Sequence, residues 1–75
     1  MMKMLVGHER YIIQKGKEYL VGRPYDDTAF CRYSTSPYDA YNGKSFNTAI
    51  SVAKKLGGKV VIFNRLTGEI RGGWK

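Results

Sequence analysis

The stretch KKLGGKVVIFNRLTGEI, Lys54 to Ile70, sets two glycines between lysines. That is phosphate-binding chemistry when the glycines precede a helix, where free amides and the positive dipole end meet the anion. Here Gly57 and Gly58 follow a helical pattern, and the nucleotide signatures GxxxxGK(S/T) and GxGxxG do not occur. The pair reads as a helix stop, and the stretch as scaffold. Asp26 and Asp27 could do acid–base work, but adjacent residues of an extended segment point opposite ways. Cys31 and His8 could pair as nucleophile and base, with no third residue apparent to orient them. One cysteine beside one histidine supplies neither a disulfide nor the four paired ligands of structural zinc. No metal or cofactor is expected. A small enzyme using Cys31 or Asp27 is the weakest of the functional readings.

A polar-aromatic signal is stronger. Six residues are tyrosine, and Tyr33, Tyr38 and Tyr41 lie in or beside RYSTSPYDAYNGK with Arg32 and Lys44 among them. Tyr25 sits near Arg23 in the preceding turn. Tyrosine among Ser, Asn and Arg is the composition of contact surfaces, because a rigid ring brings large area at low entropy cost. Aromatics interleaved with basic residues also suit single-stranded nucleic acid. Tyr11, Tyr19 and Tyr33 are expected as core or cross-strand residues. Arg23, Tyr25, Arg32, Tyr38, Tyr41 and Lys44 are the expected partner-binding set, the alternative being that such rings cover a small core. Lys54, Lys55, Lys59, Arg65 and Arg71 form a second basic area near the helix end and last hairpin, the alternative being a solvated face.

The elements that must position these residues are short. RYIIQKGKEYLVG, Arg10 to Gly22, predicts a hairpin of β-branched and aromatic strands, with a glycine for the positive-φ turn position. Its alternation puts Tyr19 and Val21 on one face, Glu18 and Leu20 on the other. Pro24 breaks the run. Thr28 to Tyr33 alternates as a third strand, and Ser34 to Lys44 reads as a long loop. Ser45 is an N-cap for a helix reaching Leu56, with Phe46, Ala49, Ile50, Ala53 and Leu56 as its apolar stripe. Lys54 and Lys55 suit its negative end, and Gly57 its left-handed cap. VVIF reads as a central strand buried on both faces or nearly so, turning at Gly68 into a return strand with Ile70 in the core and Trp74 closing an edge. The expectation is an α+β single domain over residues 1–75: an antiparallel sheet of about five strands, in the order strand–strand–strand–helix–strand–strand, with one helix on one face. Residues 1–9 are expected as a loose N-terminus or an edge strand.

Charge and length bound the partners. With 13 Lys+Arg against 6 Asp+Glu, the net charge is +7. That favours nucleic acid, a nucleoprotein or an acidic protein surface, although a charge of this size also serves solubility. Seventy-five residues make a thin core. No apolar run approaches the ~20 residues of a membrane helix, and the N-terminal run is too short for a signal peptide. A cytoplasmic protein with no membrane partner is expected.

The half SFNTAISVAKKLGGKVVIFNRLTGEI, Ser45 to Ile70, resembles a small domain of bacterial and phage genomes, in which a capped helix ending in Gly leads to an apolar strand, a Gly turn and a GEI strand. Its motifs are structural and transfer no catalytic residue. Short, cofactor-free chains of this style are similar to phage accessory proteins, among them the anti-CRISPR inhibitors of bacterial defence. Many of those are acidic DNA mimics, and this basic chain departs from that pattern. The resemblance implies a non-enzymatic inhibitor in the bacterial cytoplasm. It would dock on a bacterial protein or nucleoprotein such as a CRISPR effector, touching guide RNA, DNA or an acidic face, as a monomer or a homodimer. The alternative is a basic nucleic-acid-binding module for single-stranded DNA or RNA or for duplex DNA.

Overall fold

Local chemistry accounts for each element in the computed structural model, which describes residues 5–22 and 32–75. β1 (Glu9–Lys15) and β2 (Glu18–Leu20) form the first hairpin, in the register Gln14↔Tyr19 and Lys15↔Glu18. Gly16 holds φ +62° at the first position of a two-residue turn, the position where a type II′ turn calls for glycine. β3 (Tyr33–Ser34) pairs with β2 through Leu20↔Tyr33 and Tyr19↔Ser34. Residues 28–31 of the expected third strand lie outside the described residues. The pairing runs into Ser34, which the sequence places in the loop.

α1 (Phe46–Leu56) is built as its sequence dictates. Ser45 caps it by accepting from the Thr48 amide at 3.3 Å. Gly57 ends it at φ +73°, and the Gly58 amide donates back to the Ala53 carbonyl at 2.9 Å, the six-to-one bond of a Schellman closure. Val52 joins the expected stripe, lying buried with Ala49 and Ala53. β4 (Lys59–Asn64) and β5 (Ile70–Trp74) complete an antiparallel sheet ordered β3-β2-β1-β4-β5. This is the expected α+β architecture. β4 sits inside it with Val60, Val61, Ile62 and Phe63 all at most 1 % exposed.

Both sheet faces are covered. Tyr11, Ile13, Leu20, Val60 and Ile62 pack beneath the helix, while Ile12, Tyr19, Val61 and Phe63 form a second cluster behind the sheet. Ala40, from the segment read as loop, belongs to that second cluster. Tyr38, in a single 3-10 turn at Pro37–Asp39, sets its ring edge-on to Phe63 at 4.9 Å. The chain then returns to the helix side through a split in the sheet. Beyond Tyr19, β2 leaves β1. The Tyr41 amide donates to the Leu20 carbonyl at 2.9 Å, and Gly43 exchanges bonds with Tyr11 at 2.9 and 3.2 Å. Residues 40–43 thus fill the gap and satisfy backbone groups that the parting strands would leave bare.

Ile70 corrects one expectation: it is 40 % exposed and lies outside the core. The cause is a bulge in β5. Val60 faces Trp74 and Ile62 faces Arg71, so β5 carries one extra residue there. Gly72 absorbs it at φ +77°. Ile70 pairs opposite Phe63 on the rear, which puts Arg71 opposite Ile62 on the helix face, and the extra residue returns Trp74 to that same face. Trp74 then closes the helix end of the core, edge-on to Phe46 at 5.6 Å.

Candidate functional site

Of the expected contact set, Arg23 and Tyr25 lie outside the described residues. The structure separates the rest. Tyr38 is on the rear face; it is 56 % exposed, with its ring on Phe63 and its hydroxyl over Gly68. Tyr41 and Lys44 are on the helix side. Arg32 is exposed beside the β3 edge, its carbonyl accepting from the Val21 amide at 2.8 Å. Two of the tyrosines therefore serve opposite faces and do not converge.

Tyr41 and Lys44 border a groove of about 300 Å3 floored by Tyr11, Ile13 and Ala49, at the N-terminal end of α1. Two of its hydroxyls engage each other: Ser45 Oγ donates to Thr48 Oγ1 at 3.1 Å and accepts from the Thr48 amide. What the groove offers a partner is a largely apolar floor with the Tyr41 phenol and the Lys44 ammonium group at the rim.

The second basic area also divides. Arg65 follows β4 at the far turn, its amide donating to the His8 carbonyl at 3.2 Å. Arg71 clasps Glu9. Its Nε donates to Glu9 Oε2 and its Nη2 to Oε1, both at 2.8 Å, while the Val6 amide donates to Oε1 at 2.9 Å. These bonds, led by the guanidinium, lower the Glu9 pKa to about 2 against the opposing effect of burial. Glu9 opens β1 and pins the segment at Val6 to the sheet. A carboxylate depressed in the fold contributes stability that is complete above its unfolded value near 4.5 and lost as pH falls toward 2. Glu9→Gln is therefore expected to lower the melting temperature most above pH 5. The gap to the parent protein should narrow as pH drops to 2.5, read by circular dichroism melts; a gap constant across that range would refute the pairing.

Lys54, Lys55 and Lys59 stay together and gain company. β1 ends where β4 begins, with Gln14 opposite Lys59, and β5 ends there too, with Trp74 opposite Val60. The β1–β2 turn brings Lys15 and Lys17 to the same end, and the chain's last residue adds Lys75. The helix stop lies against this end so closely that an added Cβ at Gly58 would sit 2.7 Å from the Gln14 carbonyl oxygen. Gly16, Gly57 and Gly58 floor a shallow groove of about 230 Å3 with Lys59 and Lys75 at its sides. Lys15, Lys17, Lys54, Lys55 and Lys75 are exposed and Lys59 is half-buried; among the described residues, Glu18 is the acidic one next to them in the β1–β2 hairpin. Lys15 holds its ammonium 5.7 Å above the Tyr33 ring.

Sequence reasoning grouped Lys54, Lys55 and Lys59 and missed Lys15, Lys17 and Lys75. The signal was present in the strand directions. In an antiparallel sheet a hairpin turn after β1 lies beside the start of β4, so QKGKE and KKLGGK share an end. Comparison with protein-family models, with curated proteins and with solved structures finds no match. No helix among the described residues is long and apolar enough to cross a membrane.

Proposed function

We propose that this is a non-enzymatic binding protein that docks on a nucleoprotein through its lysine-rich end, in the manner of a phage-type inhibitor of a bacterial effector such as a CRISPR complex. The observation that carries the reading is the gathering of six lysines from four separate segments at one end of the sheet. Like charges repel, so concentrating them costs stability unless an anion faces them. Nucleic acid is the densest polyanion such a surface meets in a cell, and releasing its counterions drives binding. The host cytoplasm is where such a target resides.

The groove at Tyr41 and Lys44 favours a second reading, a contact with protein alone, since an apolar floor and an aromatic rim suit a partner side chain. A tagged pull-down from bacterial lysate separates the two. The proposed function expects recovery of nucleic acid with its bound proteins, lost on nuclease treatment and falling steeply between 50 and 200 mM salt. A discrete protein that stays bound after nuclease, and that Tyr41→Ala releases, would overturn it in favour of the protein contact.

A further inference from the structure

We infer that the lysine end takes the phosphate backbone of duplex DNA and reads neither bases nor sugars; this rests on the function proposed above. Among the described residues the cations gathered at this end are lysines, while Arg10, Arg32, Arg65 and Arg71 belong to other parts of the sheet. The distinction has chemical content. A guanidinium presents a planar fork that pairs with guanine edges, whereas an ammonium is a compact point charge suited to phosphate. Lys15, Lys17, Lys59 and Lys75 lie on a turn or at strand ends, and Lys54 and Lys55 in the last turn of α1, a helix whose apolar stripe is packed on the sheet, so the six form a rim.

Among the described residues, the aromatic rings next to this end are already committed. Tyr33 lies beneath Lys15, and Trp74 lies edge-on to Phe46 and over Gly72. Single-strand binders depend on exposed rings that stack successive bases. A rim of ammonium groups with its rings turned inward instead suits a partner whose phosphates are held at fixed spacing by base pairing. The 2′-hydroxyl, which distinguishes RNA, is met by polar groups that both donate and accept. Ammonium groups only donate and gain no selectivity from it.

The width of the surface sets the expected stoichiometry. Strands β2, β1, β4 and β5 are adjacent, so their ends span about 14 Å at roughly 4.8 Å per gap. Duplex DNA carries about eight charges over that length, counting both strands, and one side of the duplex presents about half of them. About four phosphates neutralised gives a log–log salt slope near −3.6 and about a 100-fold loss of affinity between 50 and 200 mM salt.

Fluorescence anisotropy with the intact protein tests this. The probes are 20-base-pair DNA duplexes of three unrelated sequences, the matching single strands and an RNA duplex. The expected result is equal affinity for the three DNA duplexes, weaker binding of the single strands, no gain for the RNA duplex and the slope above. Replacing Lys17, Lys54 and Lys75 together by glutamine should make the slope shallower by about two units, because removing three of the six lysines removes about half of the four contacts. Circular dichroism melts establish that the variant folds, and Lys44→Gln, at the other groove, should leave the slope unchanged. Single strands bound tighter than duplexes, a preference among the three sequences, or an RNA preference would overturn this inference and leave the proposed function standing. Failure to bind any of these nucleic acids would overturn both.

Discussion

Phe63→Ala is expected to remove about 3–5 kcal/mol of stability. A chain of 75 residues holds roughly 4–11 kcal/mol in all, so the variant should be largely unfolded at moderate urea and close to its melting point at 37 °C. The size of the effect comes from the rear layer. Phe63 is 1 % exposed on the face away from the helix, where Ile12, Tyr19, Val61 and Ala40 surround it and the Tyr38 ring lies edge-on to it. Truncation would leave a cavity that a strand hydrogen-bonded on both sides cannot collapse to fill. A sheet covered by a helix on one face and open to water on the other would behave differently, since Phe63 would there be solvated and its loss would cost under about 1 kcal/mol. Urea unfolding of Phe63→Ala beside Ile62→Val, which trims the helix side, decides the matter. A Phe63→Ala midpoint close to that of the parent would mean that the segment at 37–41 does not close the rear of the sheet.

The second large effect is expected at Gly72. Valine there meets two obstacles. The backbone holds φ +77°, where a side-chain-bearing residue costs about 1–2 kcal/mol. An added Cβ would also lie 2.5 Å from the Trp74 ring, forcing the indole off the core edge it closes. Together these come to about 3 kcal/mol, a drop of roughly 15 °C in melting temperature for a domain this size. Gly16→Ala is the matched control. Its φ is +62°, yet nothing lies within 4 Å of the added carbon, so it pays for conformation alone, about 1–2 kcal/mol. Thermal melts should place Gly72→Val well below Gly16→Ala, with altered Trp74 fluorescence in the first variant only. Equal melting temperatures and unchanged fluorescence would refute the bulge and the seating of Trp74 on Gly72.

Much of the scaffold was legible because it is local. The helix carries its own instructions in Ser45, Gly57 and the stripe between them, and Gly16 and Gly68 announce their turns. VVIF was read as buried on both faces because strand burial of that kind leaves a continuous apolar run. Ile70 was misread because a bulge changes side-chain parity. From sequence, Ile70 and Trp74 share a face by alternation, and the positive φ of Gly72 was not distinguishable from that of an ordinary strand glycine. Val52 was left out of the stripe although it packs at its centre.

The candidate site was less legible, since it is made of distances between segments far apart in the chain. From sequence, Lys54, Lys55, Lys59, Arg65 and Arg71 read as one basic area near the helix end and last hairpin, yet Arg71 is held by Glu9, sixty-two positions away, and Arg65 lies at the turn opposite the lysine end. From sequence, Tyr38 and Tyr41 of RYSTSPYDAYNGK read as parts of one contact loop. Passage of the chain through the split between β1 and β2 sends Tyr38 and Tyr41 to opposite faces.

The sequence by itself determined the element order, the caps, the turns, the α+β class and the excess of positive charge, because each depends on residues within a few positions or on a simple sum. Only the tertiary structure decided where that charge gathers, which tyrosines share a face and how the rear of the sheet is covered. Those are set by strand order, register and one inserted glycine in β5, and they emerge only when strands separated by tens of residues pair.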